Sequence, residues 1–587
     1  MKRWKFSTPD PAQIEALRLE AKVPPLVARL LALRGITPAG AANFLSPSLD
    51  QLHSPYLMRG MAVAVERLSA AIANQEGILI YGDYDVDGTT AVVILKTAIE
   101  LCGGTADFHV PHRIKEGYGI KDDVIERAAA AGIKVVISVD TGIRAFQAAE
   151  TARRVGIDLL VTDHHLPEAN EGVPAALAVL NPNQQGCDYP CKELCGAGVA
   201  FKIAQALFAK FKDAADQARL TPSFLKMVAI ATIADAVPLV GENRIIARLG
   251  LEGLRRPVNG GLRALMEVSG LADAGRTIAA GDVGFRLGPR INAAGRMDVA
   301  RDVIELFTCR DQARCKDIAE KLNQLNLDRQ QEEARIVAEI DAQLAAEPDL
   351  TGKFCMVFDG EGWHRGVVGI VASRVVERTG RPALVIAKEG DEAHGSGRSI
   401  SAFHLLDALE SCHDLFTRFG GHAHAVGFAM PSKDVPMLKQ RLNIYAQTRL
   451  SSDDLIPQIL IDAEIPLSSV TPDLLAKLNL LEPFGHGNPE PVFSSHGVSL
   501  LLPPRVLKEK HIKLRMNQKR PDQKSSFNYE AVGWRMAERL KSETLNPGDS
   551  LDVAFKIGMN DHPEFGGLEL TLEDFRKSQP AAVSVCS

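Results

Sequence analysis

Three short apolar runs in the first third of this chain each lead to an aspartate, and that pattern constrains the fold more than any other feature. Ile78–Tyr81 runs on to Asp83, Val135–Val139 meets Asp140, and Asp158–Thr162 meets Asp163. Together with Ala178–Leu180 they alternate with helical segments, which argues for an α/β fold built on a mostly parallel sheet with crossover helices. In open parallel sheets the ligand crevice lies beyond the carboxyl ends of the strands, so these carboxylates are expected to converge.

The chain has 587 residues, and at about 150 residues per domain several domains are expected. Residues 1–69 read as a helix-like flank punctuated by Pro9, Pro11, Pro24, Pro25, Pro38 and Pro47. The sheet domain follows over 70–310. From 311 to 347 Gly and Pro disappear before Pro348, and Ile318, Leu322, Leu325 and Ile336 recur at helical spacing, which predicts one long connector helix. A second α/β domain is expected over 348–450, opening at Phe354-Cys355-Met356-Val357-Phe358. A small β-barrel over 451–577 follows from its short apolar segments and turn signals, with 578–587 as a tail.

Composition fits a folded chain: 46% of residues are apolar, 24% are charged, and the net charge is −6. No global charge announces a nucleic-acid partner. Locally, however, residues 505–524 carry eight basic side chains (Arg505, Lys508, Lys510, Lys513, Arg515, Lys519, Arg520, Lys524) against Glu509 and Asp522. With Phe527 and Tyr529 nearby this reads as a single-strand-binding groove, or alternatively as a solvated basic hairpin. No apolar run approaches the roughly 18 residues that span a bilayer, and Met1-Lys2-Arg3-Trp4-Lys5 leads into polar residues, so a cytoplasmic location is expected. Most of the nine cysteines are scattered singly. Cys187, Cys191 and Cys195 lack a fourth ligand nearby and match no common zinc spacing, which fits reduced thiols.

The segment Tyr81-Gly82-Asp83-Tyr84-Asp85-Val86-Asp87-Gly88 places three aspartates at alternating positions between a strand and a helix. An EF-hand loop opens in the same way, but its bidentate Glu would fall at Leu95 and a strand precedes the segment, so that reading fails. A solvated acidic loop is the plainer alternative. Further along stand Asp140-Thr141-Gly142, Asp163-His164-His165, and Asp235 within an otherwise apolar stretch. Carboxylates with one or two histidines suit Mn²⁺ or Mg²⁺. Two such ions about 3.5–4 Å apart support in-line attack of water on phosphorus, so metal-assisted phosphoester or phosphoanhydride hydrolysis is the expected chemistry.

Asp163-His164-His165, with Asp85-Val86-Asp87 and Asp140 upstream, resembles the DHH phosphoesterase superfamily. Val110 to Gly119, Leu194 to Ala200, Phe285 to Arg296, Trp363-His364 and Ile370 to Arg374 narrow the resemblance to the RecJ family of bacterial single-strand-specific 5′→3′ DNA exonucleases. It implies a DHH domain, a DHHA1 domain and an OB-fold. It also implies two Mn²⁺ or Mg²⁺ ions held among Asp83, Asp85, Asp87, Asp140, His164 and Asp235, with Asp140 bridging. Asp87, Asp140, His164, His165 and Arg290 become the catalytic candidates, and His165 is expected to face the scissile phosphate. Many superfamily members carry His where this chain has Tyr81, and Asp83 is the candidate replacement ligand. By the same resemblance Arg113, Ser396 and Arg398 cradle the 5′-phosphate and Tyr118 stacks on a base. Arg296 stabilises phosphate charge, and Gly421 and His422 of the glycine-rich Phe419-Gly420-Gly421-His422 segment contact substrate. The implied setting is DNA recombination, mismatch repair and gap repair, beside single-strand-binding protein and a helicase.

Two rival readings stand beside this one. Other DHH enzymes act on oligoribonucleotides, cyclic dinucleotides or pyrophosphate, but those chains typically lack the OB-like block. A scaffold with a decayed catalytic site should have lost acidic or histidine positions, and all the motif carboxylates and both histidines stand here.

Overall fold

The computed structural model describes residues 2–578 apart from 114–115, 118, 169–171, 274–275, 298–299, 347–349, 520–525 and 561–565. The chain divides into two compact units, 48–455 with 485–487, and 1–47 with 456–484 and 488–587.

The larger unit opens on a parallel sheet of β1 (Ile78–Tyr81), β2 (Ala106–His109), β3 (Val135–Val139), β4 (Asp158–Thr162) and β5 (Ala178–Leu180), in the order β2-β1-β3-β4-β5. The four strands expected from the apolar runs form with those limits. The strand β2 was not anticipated, because Ala106-Asp107-Phe108-His109 is half polar. Side chains alternate across the sheet: Ile78 and Ile80 join one core, Leu79 and Tyr81 the other. The first core is covered by α1 (Val86–Leu101), α2 (Gly196–Phe211) and α3 (Ala214–Ala234). Strand order reverses between β1 and β3, the switch point at which this class of sheet binds ligands.

Beyond α4 (Gly288–Met297), a single helix α5 (Gln312–Ala346) occupies the stretch without Gly or Pro. It leads to a second sheet of β6 (Met356–Glu361), β7 (Ala383–Glu389), β8 (Glu392–Arg398), β9 (Arg418–Gly421) and β10 (Ala425–Pro431), ordered β9-β10-β8-β7-β6. Only β6 and β7 run parallel; the other pairs are antiparallel. The helix α6 (Val368–Thr379) joins β6 to β7. Ile336 and Ile340 of α5 share a core with Trp363, Phe358 and Val371, so the long helix is anchored on this sheet.

In the smaller unit five strands close a barrel: Phe493–Leu500, Ser550–Asn560, Gly567–Lys577, Ser526–Gly533 and His511–Lys519, the last pairing back to the first at Leu500 and Met516. The N-terminal residues are part of this unit rather than a separate flank. Helices Pro11–Ala21, Pro25–Leu33 and Pro38–Leu45 each begin on a proline, where the missing N–H costs nothing. Leu17, Leu30, Leu31 and Phe44 pack into the barrel's core, and Arg3–Phe6 pairs with Gln458–Ile461.

A charged pair lies under the first sheet domain. Lys202 Nζ sits 2.5 Å from Glu242, both side chains fully buried, and Glu242 also accepts from the Tyr189 hydroxyl at 2.5 Å and the His53 amide at 3.0 Å. Lys202→Met leaves a buried carboxylate without its cation and is expected to cost about 3–5 kcal/mol in urea unfolding of this unit. Adding Glu242→Gln should recover more than half of the loss.

Candidate active site

The switch point gathers the acidic residues. Asp85 caps α1, its Oδ1 accepting the Gly88 amide at 3.0 Å. Asp87, in the first turn, accepts the amides of Gly196 at 2.5 Å and Ala197 at 2.8 Å, so the positive end of α2 holds it. Gly196 is required there, since a Cβ would stand 2.5 Å from that of Asp140. Asp140 follows β3 directly with φ 59°, a conformation non-glycine residues seldom adopt. Asp235 caps the C-terminus of α3.

His164 Nε2 lies 3.2 Å from Asp140 Oδ1, 3.7 Å from Asp87 Oδ2 and 3.8 Å from Asp235 Oδ2. Three sets of ligand atoms lie within 4.8 Å of one another: Asp83, Asp85 and Asp140; Asp87, His164 and Asp235; Asp140, His164 and His165. All six residues expected to form the metal shell are therefore brought together, and Asp140 belongs to two of the three sets. The third strand-end acid does something else. Asp163 Oδ1 accepts from the His164 and His165 amides and bonds His165 Nδ1 at 2.7 Å, while Oδ2 accepts from Ile143 N. Tyr81 is also outside the cluster: its hydroxyl donates to the Gly119 carbonyl at 3.0 Å.

Burial, reinforced by neighbouring carboxylates, holds Asp83, Asp85 and Asp140 above the ordinary carboxylate range and pushes Asp235 up to about 9. Burial lowers His164. It opposes protonation of His165 as well, but Asp163 overrides it and raises that ring to about 9. Among the described residues the buried Asp83 Oδ1 has no hydrogen-bond partner. Oxygen-rich ligand sets with one or two imidazoles, an orphaned buried oxygen and like charges forced together are what a pair of hard divalent cations would satisfy.

Arginines gather nearby. Arg113 lies over the Tyr84 ring at 5.0 Å. Arg296 donates to the Gly366 carbonyl at 2.8 Å, and burial together with Arg113, Arg329 and Arg398 lowers it to about 10. Burial and Arg113 also lower Arg398. Ser396 and Arg398 share one face of β8 turned toward the start of α6, where a Cβ on Gly369 would meet both at 3.4–3.5 Å. Mutually repelling guanidiniums beside a hydroxyl and a helix N-terminus are groups of the kind that could receive an anion. Neither Gly369 nor Arg329 was singled out from the sequence, and nothing in their spacing marks them.

Arg290 is placed differently: its guanidinium bonds Asn323 Oδ1 at 3.0 Å, Arg286 O at 2.6 Å and Val268 O at 3.4 Å. His422 lines a cavity of about 650 Å³ with His165, Asp163, Thr141 and Arg144, and its amide donates to Ala425 O beside Gly421, whose φ is 141°. Tyr118 lies outside the described residues, as do the side chains of Lys519, Arg520, Lys524 and Phe527. Tyr529 is not a surface platform: its hydroxyl bonds Val470 O and its ring packs against the barrel core. Arg505, Lys508, Lys510 and Arg515 are exposed on the barrel. Trp534, 57% exposed and edge-on to His511 at 4.8 Å, is the exposed aromatic of this region that the sequence reading missed.

A parallel sheet in this order, with aspartates and the Asp163-His164-His165 triplet at its switch point and a second α/β domain after a long helix, defines the DHH class. The DHH family N-terminal domain matches residues 77–232, the DHHA1 domain 351–448 and the RecJ OB domain 461–574. The chain is 36% identical to the single-stranded-DNA-specific exonuclease RecJ of Bacillus subtilis over 98% of its own length and 71% of that protein's. It is 38% identical to the Dickeya dadantii protein of the same name, over 84% and 87%. The crystal structure of RecJ in complex with Mn²⁺ from Thermus thermophilus superposes with TM-score 0.82 at 28% identity, covering 98% of this chain and 80% of that one. The chain belongs to the RecJ family.

The site's protonation gives a test. Carboxyls raised in the fold, like His165, bind protons more tightly folded than unfolded, so their contribution is present below the unfolded pKa and lost as pH rises through the folded one. For Asp235 that window runs from the ordinary value of 3.8 to about 9, and for His165 from 6.5 to about 9. Metal-free protein should therefore lose stability between pH 6 and 9. Saturating Mg²⁺ should raise Tm by at least about 4 °C more at pH 8.5 than at pH 6, read by differential scanning fluorimetry. An equal or reversed difference contradicts the charge assignment.

Proposed function

We propose that this chain is a single-strand-specific exodeoxyribonuclease that hydrolyses DNA 5′→3′ and releases 5′-mononucleotides. The observation that carries the reading is a buried aspartate–histidine cluster with a group of mutually repelling arginines close by in one compact unit. Membership in a family whose curated members are named single-stranded-DNA-specific exonucleases supports the activity class. Thermus RecJ structures in complex with Mn²⁺ and with Mg²⁺ support those ions as cofactors.

In this reading Asp83, Asp85, Asp87, Asp140, His164 and Asp235 are the residues that would hold two divalent cations. When bound, the pair supplies Lewis acidity and charge neutralisation at the scissile phosphate. The chain's own groups do the rest. Asp163 fixes the His165 ring through Nδ1 and keeps it protonated, so Nε2 can donate to a non-bridging phosphate oxygen. Arg113, Ser396 and Arg398 bind the terminal 5′-phosphate, with Arg296 between that cradle and the cluster. An end anchored at a fixed distance from the reacting bond makes release of one nucleotide at a time the outcome, and sets polarity. His422 and Gly421 contact the strand from the DHHA1 side, and Tyr118 stacks on a base. Arg290 must release its bonds to Asn323 and Arg286 before it can reach a phosphate.

The barrel adds a second hold on the strand through Arg505, Lys508, Lys510 and Arg515. Among the described residues no helix is long and apolar enough to cross a membrane. The setting proposed is cytoplasmic DNA recombination and repair, where a helicase and single-strand-binding protein generate and present the substrate.

A time course on 5′-labelled and 3′-labelled single strands with Mn²⁺ or Mg²⁺ tests this. Label should leave the 5′ end as mononucleotide from the first time points while the 3′-labelled strand shortens progressively. Asp140→Ala should lower the rate by more than about 10²-fold. Shortening from the 3′ end, or activity surviving that substitution, contradicts the reading.

A further inference from the structure

Arg296, a buried arginine that feels the charge of Asp85, is held from the other domain. Arg296 ends α4, and its guanidinium donates to the carbonyl of Gly366, in the loop between β6 and α6. That loop is pinned from a third element, the long helix α5. Trp363 Nε1 donates to Glu339 Oε2 at 2.7 Å, the His364 amide donates to Glu332 Oε1 at 3.1 Å, and Arg335 donates to Gly362 O at 3.1 Å. Glu332, Arg335 and Glu339 recur at helical spacing along one face. Within the loop, His364 Nδ1 accepts the Gly366 amide at 3.1 Å and the His364 carbonyl accepts the Val367 amide at 2.9 Å, so the peptides flanking Gly366, including the one whose carbonyl receives Arg296, are held by His364. Beneath it the Trp363 ring, 1% exposed, packs with Ile336 and Ile340 of α5, and Met297, next to Arg296, packs against the same core. The loop then enters α6, whose first turn approaches Ser396 and Arg398.

We propose that Glu339 and Trp363, with Glu332 and His364, are positioning residues that set Arg296 and the start of α6 relative to Ser396 and Arg398, and thereby tune recognition of the 5′-phosphate. This rests on the 5′-phosphate reading above. The network touches neither the carboxylate cluster nor the proposed phosphate ligands directly, except through the Arg296–Gly366 bond. Its loss therefore displaces the cradle and leaves the hydrolytic cluster in place. A network serving only to hold the fold together would affect both strand types alike.

The experiment compares 5′-phosphorylated with 5′-hydroxyl single strands for full-length Trp363→Phe, Glu339→Ala and Glu339→Gln, with thermal melting as the folding control. Trp363→Phe keeps a six-membered aromatic ring and removes the indole N–H with the smaller ring; Glu339→Gln keeps an acceptor oxygen. Trp363→Phe and Glu339→Ala should each raise KM for the phosphorylated strand about fivefold or more, with kcat within about twofold. Preference for the phosphorylated end should fall by the same factor, and Glu339→Gln should restore most of it. Unchanged KM and end preference in both variants, or an equal fall in kcat on both strands, overturns the proposal. Arg398→Ala separates it from the reading beneath: if Arg398→Ala abolishes end preference and Trp363→Phe does not, the positioning role alone fails. If Arg398→Ala leaves the preference intact, the phosphate cradle fails with it.

Discussion

Like charge forced together at the carboxyl ends of β1 and β3 is the constraint on which the rest of the larger unit depends. The sheet order brings Asp83, Asp85 and Asp87 up to Asp140, and Asp235 arrives from the end of α3. In a buried setting such carboxylates must be protonated, hydrogen-bonded or matched by cations. The fold uses hydrogen bonds for some of them: the N-terminus of α2 is spent on Asp87, and the turn into α1 on Asp85. Asp140 is held in a left-handed conformation, and Gly196 leaves room for it. The remaining negative charge is what makes the site receptive to divalent metal.

The opposite field is built from Arg113, Arg296 and Arg398: Arg113 and Arg398 both burden the buried Arg296, and Arg113 burdens Arg398. On the proposed reading, a polyanionic strand lying across both, with metal on one side, would neutralise the two fields together. The net charge of −6 averages over these opposing regions and is silent about the partner. Single-strand selectivity belongs to the same account. On the proposed reading, a strand anchored by its 5′ end among arginines of two domains, with its phosphate reaching the carboxylate cluster, would have to arrive unpaired.

Legibility in the sequence followed physical rules. Apolar runs ending on acids were legible because burial on both faces of a parallel sheet demands continuous Val, Ile and Leu, and the switch point then placed the acids together. The long helix was legible from the absence of Gly and Pro. The half-polar β2 was not, because its apolar–polar alternation spans only four residues and lacks the continuous apolar run of its neighbours. Asp163 was legible only as a strand-end acid expected to converge with the others; its role in orienting His165 is carried by hydrogen-bond geometry that spacing cannot encode. Arg290, singled out by motif, is occupied by Asn323 and two carbonyls. Gly369 and the α5 face that pins Trp363 were invisible because contacts between domains leave no local periodicity. The N-terminal helices read as a flank for the same reason: their core is shared with a barrel more than 400 residues away in sequence.

The central claim is that the buried cluster is a two-cation site organised about Asp140. Anomalous diffraction from crystals soaked in Mn²⁺ tests it directly. The account predicts two peaks, each coordinated by an oxygen of Asp140, one completed by Asp83 and Asp85 and the other by Asp87, His164 and Asp235. A single ion, or two that do not share Asp140, would contradict it.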